Sequence, residues 1–292
     1  MTLLQAILLG IVQGLTEFIP ISSTAHLVLA SRIMNLALTP EQLTSSIAVI
    51  QLGTLVGVVV YFIGDIWNIT RAFIHDHYVL LKDGRRDQFN RTNSHARLSH
   101  EAWLGWLVIV GSLPVAVVGL VFKKQIEGTF TKNLWVIATM MIVVAVLLAI
   151  AEAVGKRRRR MQDLGMGDAL AVGFAQCLSL IPGSSRSGST IMAGLFAGET
   201  RETAARFSFL LSIPAIAASG LLEMKEALHL LPKDSLTTLA VGTAVSGIVG
   251  YASIWFLLRY LRTHTTGVFI GYRLIVGVAI LIMLLNGRIS PL

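Results

Sequence analysis

The chain has 292 residues, a net charge of +8, and a composition that is 54% hydrophobic and only 14% charged. With a mean hydropathy of +0.72 it cannot be an ordinary soluble domain, where about a quarter of residues are charged, nor a disordered chain. It reads as an all-α polytopic membrane protein forming a single integral domain, 1–292. The basic residues stand in short clusters between apolar runs, so the bilayer is the expected partner and nucleic acid is not. A lone Cys177 excludes an intrachain disulfide, a zinc cluster and a redox pair.

In chain order, region 1–38 comes first. It lacks a basic leader and an A-x-A cleavage site, so residues 1–19 are expected to belong to the fold. It is apolar at both ends but broken at its centre by Pro, Ser and ionisable residues. Spans of about 45–64, 102–122 and 134–154 are long and apolar enough to cross roughly 30 Å of hydrocarbon. Between the first two, segment 65–101, with Lys82-Asp83-Gly84-Arg85-Arg86-Asp87, is expected to be a water-exposed loop with room for a surface helix. After the run Lys156 to Arg160, a second broken region covers 166–198. Three more spans follow, about 203–222, 236–258 and 267–285. Backbone that leaves a helix at membrane depth must be covered by protein or water, so both broken regions are expected to be re-entrant helix-loop-helix hairpins.

Orientation follows from counting Lys and Arg in short loops. With the N-terminus outside, the inner side holds Arg71, Lys82, Arg85, Arg86, Arg91, Arg97, Lys156 to Arg160, Arg201, Arg206, Arg259 and Arg262. The outer side holds only Lys123, Lys124, Lys132, Lys225, Lys233 and Arg288. Both termini are therefore expected outside.

The broken regions resemble each other. Gln5 to Thr16 aligns with Asp168 to Ser179 at an offset of 163, with Ala, Gly, Gln and Leu in register. One residue must then be skipped to bring Pro20-Ile-Ser22-Ser23-Thr24 onto Pro182-Gly-Ser184-Ser185-Arg186. Three spans separate the copies, an odd number, so an inverted-topology repeat is expected: repeat 1 about 1–122, repeat 2 about 166–258, with helices 134–154 and 267–285 completing the bundle.

The first loop gathers Gln13, Glu17, Ser22, Ser23, Thr24 and His26 within fourteen residues. Gln13 and Glu17, at i and i+4, share a helix face; Pro20 ends that helix and the Ser-Ser-Thr run can cap the next. Ionisable groups at membrane depth are costly and usually functional. A structural account, with Ser22 or Ser23 capping and Glu17 pairing with His26, covers single residues more easily than the whole set. The second loop, Gly183, Ser184, Ser185, Arg186, Ser187 and on to Thr190, has the composition of an oxyanion cradle: glycine lets amides approach, a helix start adds a positive dipole end, and Arg186 offers a fork of donors. Arg186 could also simply pair with Glu17. A carboxylate, a His, hydroxyls and an arginine cradle are the parts for hydrolysing a phosphate ester or anhydride, and the surrounding spans make the substrate a lipid.

These residues, Gln13-x-x-x-Glu17, Pro20 to His26, and Pro182-Gly-Ser-Ser-Arg-Ser-Gly-Ser-Thr190, resemble the bacterial undecaprenyl pyrophosphate phosphatase family over essentially the whole chain. The resemblance implies removal of the terminal phosphate from a polyprenyl pyrophosphate lipid, recycling of the carrier for cell-wall synthesis, bacitracin resistance, and a Mg²⁺ or Ca²⁺ requirement. It also implies six spans in the inner membrane, with paired re-entrant hairpins and an active site opening to the periplasmic face. Residue by residue it assigns catalysis to Glu17, Ser23, His26 and Arg186. Ser185 matches the core of the second motif, and the loop composition adds Gln13, Ser22, Thr24, Gly183, Ser184, Ser187 and Thr190 as phosphate-binding candidates. Glu17 is a metal-ligand candidate, and Gln13, standing where other members carry Glu, a weaker one.

The expected mechanism is in-line displacement at phosphorus, with Ser23, His26 or a metal-activated water as nucleophile. A lipid-phosphate or anion carrier, or flippase, is the alternative, since inverted repeats with broken helices are carrier architecture. A homodimer is left open.

Overall fold

A computed structural model describes residues 1–83, 98–122, 133–230 and 236–291. Among them are eleven α-helices and no strand. The charged stretch 84–97 and four lysines of the topology count, Lys123, Lys124, Lys132 and Lys233, lie outside the described residues, as does the side chain of Lys225.

Two short helices open the chain, α1 (Leu3–Phe18) and α2 (Ser23–Ile33), followed by α3 (Pro40–Tyr61), α4 (Ile63–Asp83), α5 (His100–Val121) and α6 (Leu134–Val154). A second short pair, α7 (Met166–Gln176) and α8 (Arg186–Phe196), precedes α9 (Arg201–Leu230), α10 (Leu236–Leu261) and α11 (Gly267–Leu285). Six helices, α3, α5, α6, α9, α10 and α11, are long and apolar enough to cross a membrane, so the chain is a multi-pass membrane protein. Thr2 and Thr39 each form a capping box, with Gln5 and Gln42, at the starts of α1 and α3.

Segment 65–101, expected as a water-exposed loop with room for a surface helix, is helical in its first half: α4 runs to Asp83 and is not one of the six spans. Trp67, Ile74, Tyr78 and Leu81 are exposed along it, while Phe73 and His77 pack on Trp106 of α5. Asp76 accepts from the backbone N–H of Ser99 at 2.8 Å, which ties α4 to the start of α5; the Ser99 side chain, then this backbone bond, then His75 hold the Asp76 carboxyl down at about 2.

Lipid gives no hydrophobic drive for one helix to bury against another, so close approach rests on small residues. Gly10 and Gly14 of α1 meet the backbone of Gly242, Ser246 and Gly250 on α10. Gly53 and Gly57 of α3 meet the same helix at Thr243 and Gly247, which seats α10 against both α1 and α3. Gly173 of α7 packs likewise on Gly111 of α5.

At the α8–α9 junction, backbone bonds clip the chain after α6 onto residues 198–200: Arg158 and Arg159 N–H donate to Gly198 O, and Thr200 N–H to Arg159 O. Arg159 is bound at two points by Asp168. Beside that pair Glu199 is fully buried, and neither carboxylate oxygen has a hydrogen-bond partner among the described residues. Burial, and then the charge of Asp168, push its carboxyl up to about 7, against a smaller pull from Arg159. The unfolded chain ionises Glu199 from about 4.5 upward while the folded one keeps it protonated. The cost to stability therefore grows between those values and levels off above 7, at about 3 kcal/mol. Glu199→Gln is expected to raise the thermal midpoint in detergent micelles at pH 8, with the gap closing near pH 4.5. A gap that persists unchanged at acid pH would count against this titration.

Candidate active site

Gln13 and Glu17 lie one turn apart on α1, and Gln13 Nε2 donates to Glu17 Oε2 at 2.9 Å. Gln51 of α3 donates to Glu17 Oε1 at 3.2 Å, and Arg186, from the start of α8, donates to the same oxygen through Nη2 at 2.8 Å. Glu17 is only 6% exposed; a buried carboxylate needs donors for its lone pairs, and three reach it. Arg186 Nη1 is buried with no hydrogen-bond partner among the described residues. Glu17 also lines a cavity of about 120 Å³, with Gln13, Gln51, Ser23 and Thr24 as its polar wall and Leu27, Val28 and Ile47 as its apolar one.

Tight turns aim the two loops. Ser22 and Ser185 sit at φ +79° and +66°, strained for a residue with a Cβ, and each caps the helix it precedes. Ser22 Oγ accepts from Ala25 N–H and Ser185 Oγ from Gly188 N–H. Gly183, at φ +91°, lies so close against the carbonyl of Ile137 on α6 that a Cβ would collide with it. Ser187 Oγ donates to Ile19 O of the first loop and pairs with Ser185 Oγ, while the buried Ser184 hydroxyl has no partner among the described residues.

One side chain ties both loops to the bundle. Arg273 of α11 is fully buried and donates to Pro20 O of the first loop and to Gly183 O and Ser184 O of the second, at 3.0–3.4 Å. It also reaches Met140 O and Met141 O on α6. Its neighbour Tyr272 meets His26: Nε2 lies 2.7 Å from the phenol oxygen and Nδ1 2.7 Å from Ser22 O.

Of the residues singled out from sequence, Gln13, Glu17, Ser23, Thr24 and Arg186 converge on or beside the cavity. His26 does not line it, and its ring bonds neither Ser23 nor Glu17. Thr190 bonds Arg186 O and the Ser208 hydroxyl inside the bundle. Sequence reasoning missed Gln51, Tyr272 and Arg273. An arginine inside an apolar span is itself a signal of function, and Gln51, a polar residue midway along another span, is a weaker one.

A polytopic helical protein whose two serine-rich loops bring a buried carboxylate and an arginine together beside a half-polar, half-apolar cavity is a multi-pass membrane protein with a polar centre among its helices. The pattern of the family described as bacitracin resistance protein BacA matches residues 6–279. The chain belongs to this family. It is 51% identical to an undecaprenyl-diphosphatase of Syntrophobacter fumaroxidans, over 97% of this chain and 98% of that protein. Proteins of the same name from Chlorobium phaeobacteroides (45% identical; 99% of this chain, 100% of that one) and Mycolicibacterium gilvum (43% identical; 100% of both) are also similar.

Proposed function

We propose that the protein hydrolyses undecaprenyl pyrophosphate to undecaprenyl phosphate and inorganic phosphate in the bacterial inner membrane, returning the lipid carrier to cell-wall synthesis and conferring bacitracin resistance. The observation that carries this is the Glu17–Arg186 contact across the two loops, with Arg186 Nη1 still free to bond, beside a cavity polar at one wall and apolar at the other. A diphosphate meets the polar wall while Leu27, Val28 and Ile47 continue into prenyl chain.

Ser23 Oγ attacks the terminal phosphorus in line, and the bond to the bridging oxygen breaks, releasing the prenyl monophosphate. Water then cleaves the phosphoserine to free phosphate. Arg186, with the Ser184 and Ser185 turn, neutralises charge on the equatorial oxygens. His26 takes and returns the proton. Ser23 on the cavity wall, against an imidazole that does not line it, supports serine over histidine as nucleophile. Ser22, held as a cap, and Thr190, bonded within the bundle, shape the loops.

No group of three or more His, Cys, Asp or Glu able to hold a metal stands among the described residues. One carboxylate, Glu17, and the amide oxygens of Gln13 and Gln51 are oxygen donors suited to Mg²⁺ or Ca²⁺ when the diphosphate adds its own. Bound there, the cation would offset phosphate charge.

The hairpins belong to an inverted repeat in this proposal. Its support is that α1 and α7 begin 163 residues apart (3 and 166), as do α2 and α8 (23 and 186). Both second helices are capped by a serine at positive φ, Ser22 and Ser185, so the structural register needs no skipped residue. The Lys and Arg count supports termini outside, and the family resemblance implies a centre opening to the periplasm.

The test is phosphate release from undecaprenyl pyrophosphate by detergent-purified protein, with and without EDTA, for wild type and for Ser23→Ala and His26→Ala. Cation-dependent release lost by orders of magnitude in both variants is expected. Folded wild type that binds the lipid but releases nothing would instead identify a carrier.

A further inference from the structure

His26 is held at both ends of its ring. Ser22 O is a carbonyl and can only accept, so at 2.7 Å the Nδ1 atom carries the proton. In the neutral ring Nε2 is then the acceptor, and the group 2.7 Å from it, the Tyr272 hydroxyl, donates. The two rings lie nearly parallel, 14° apart, with centroids at 5.5 Å. Tyr272 belongs to α11, where the next residue, Arg273, holds the carbonyls of both loops. One helix turn thus locates the imidazole and the loops together.

The choice of a phenol matters. A carboxylate at this place can only accept, so it would favour the charged imidazolium. A phenol donates to neutral Nε2 and, after its O–H rotates, accepts from Nε2–H. It can keep one ring orientation in both protonation states, as a base that takes a proton and returns it requires.

We propose that Tyr272 is the positioning residue of His26, its hydroxyl holding the imidazole in one tautomer and one orientation while a proton arrives at Nε2 and leaves again. The proton that arrives at Nε2 is the phenol's own, replaced in the same step from the attacking hydroxyl, and the return to the departing oxygen runs back through the phenol, which ends as it began. This rests on the acid–base role given to His26 above.

Tyr272→Phe keeps the ring and removes only the hydroxyl. Two readouts are taken on full-length protein in detergent: steady-state phosphate release, and ¹⁵N resonances of ring-labelled histidine, with His26 assigned by its loss in His26→Ala. Wild type is expected to show one protonated and one acceptor nitrogen for His26. In Tyr272→Phe the Nε2 resonance moves and the tautomers mix, while kcat falls about tenfold to a hundredfold and KM stays within about twofold. In a His26→Ala background Tyr272→Phe should cost nothing further. An equal loss in both backgrounds, or a His26 signal indifferent to the phenol, would overturn the proposal. Wild-type turnover in His26→Ala overturns it by removing the acid–base role; the Nε2 resonance still responds to Tyr272→Phe in that case, so the two failures are told apart.

Discussion

Arg186→Ala is expected to abolish phosphate release to within about a thousandth of wild type and at the same time to destabilise the fold, because two separate roles end with one side chain. The structural loss comes from Glu17. Its carboxylate is 6% exposed and depends on Gln13, Gln51 and Arg186; removing the cation leaves a buried charge uncompensated, worth about 3–5 kcal/mol. The catalytic loss comes from the Nη1 end of Arg186, free to meet a phosphate oxygen, since a charge-matched donor at such a centre contributes orders of magnitude to rate. A double variant separates the two. Glu17→Gln with Arg186→Met removes both charges and keeps the volumes close, so the thermal midpoint in micelles should recover most of what either single change loses. Turnover should stay lost. Recovery of both would reduce the pair to a strut between the loops.

Much of this arrangement was legible in the chain. The six spans stand out because a run of about twenty apolar residues has no other stable place, and boundaries such as 134–154 and 267–285 coincide with α6 and α11. Glu17 and Arg186 stood out because an ionisable group at membrane depth needs a reason. What sequence could not give was which groups face each other. Glu17 and His26 are nine residues apart and looked like a pair, but the turn at Ser22 sends the imidazole toward Tyr272, 246 residues further along. Gln51 reaches Glu17 only because Gly53 and Gly57 let α3 close on α10, against which α1 also packs. Matching Pro20 to Pro182 by identity implies an offset of 162 in the second half of the resemblance, whereas the helix caps Ser22 and Ser185 stand 163 residues apart.

The largest purely architectural effect is expected at Arg273. Arg273→Met should lower stability by about 3–5 kcal/mol, from carbonyls left buried without donors, and should reduce turnover by more than about tenfold even where protein still folds. The reason lies in how the five acceptors are distributed. Met140 O and Met141 O sit inside α6, where intrahelical donors remain, but Pro20 O, Gly183 O and Ser184 O belong to turns without a ladder of their own. The loss therefore falls on the two loops that present Ser23 and Arg186. Arg273→Lys gives the sharper comparison. An ammonium keeps the charge but is a single point with three donors, unable to span the first loop, the second loop and α6 at once as a planar guanidinium does. Its midpoint should fall between wild type and Arg273→Met, with turnover close to the Met variant. If Lys restored wild-type turnover, positive charge alone would be the contribution of Arg273. The geometry of one donor group bonded to both loops predicts otherwise: the loops are held in register by directed bonds, and charge without direction leaves them free to part.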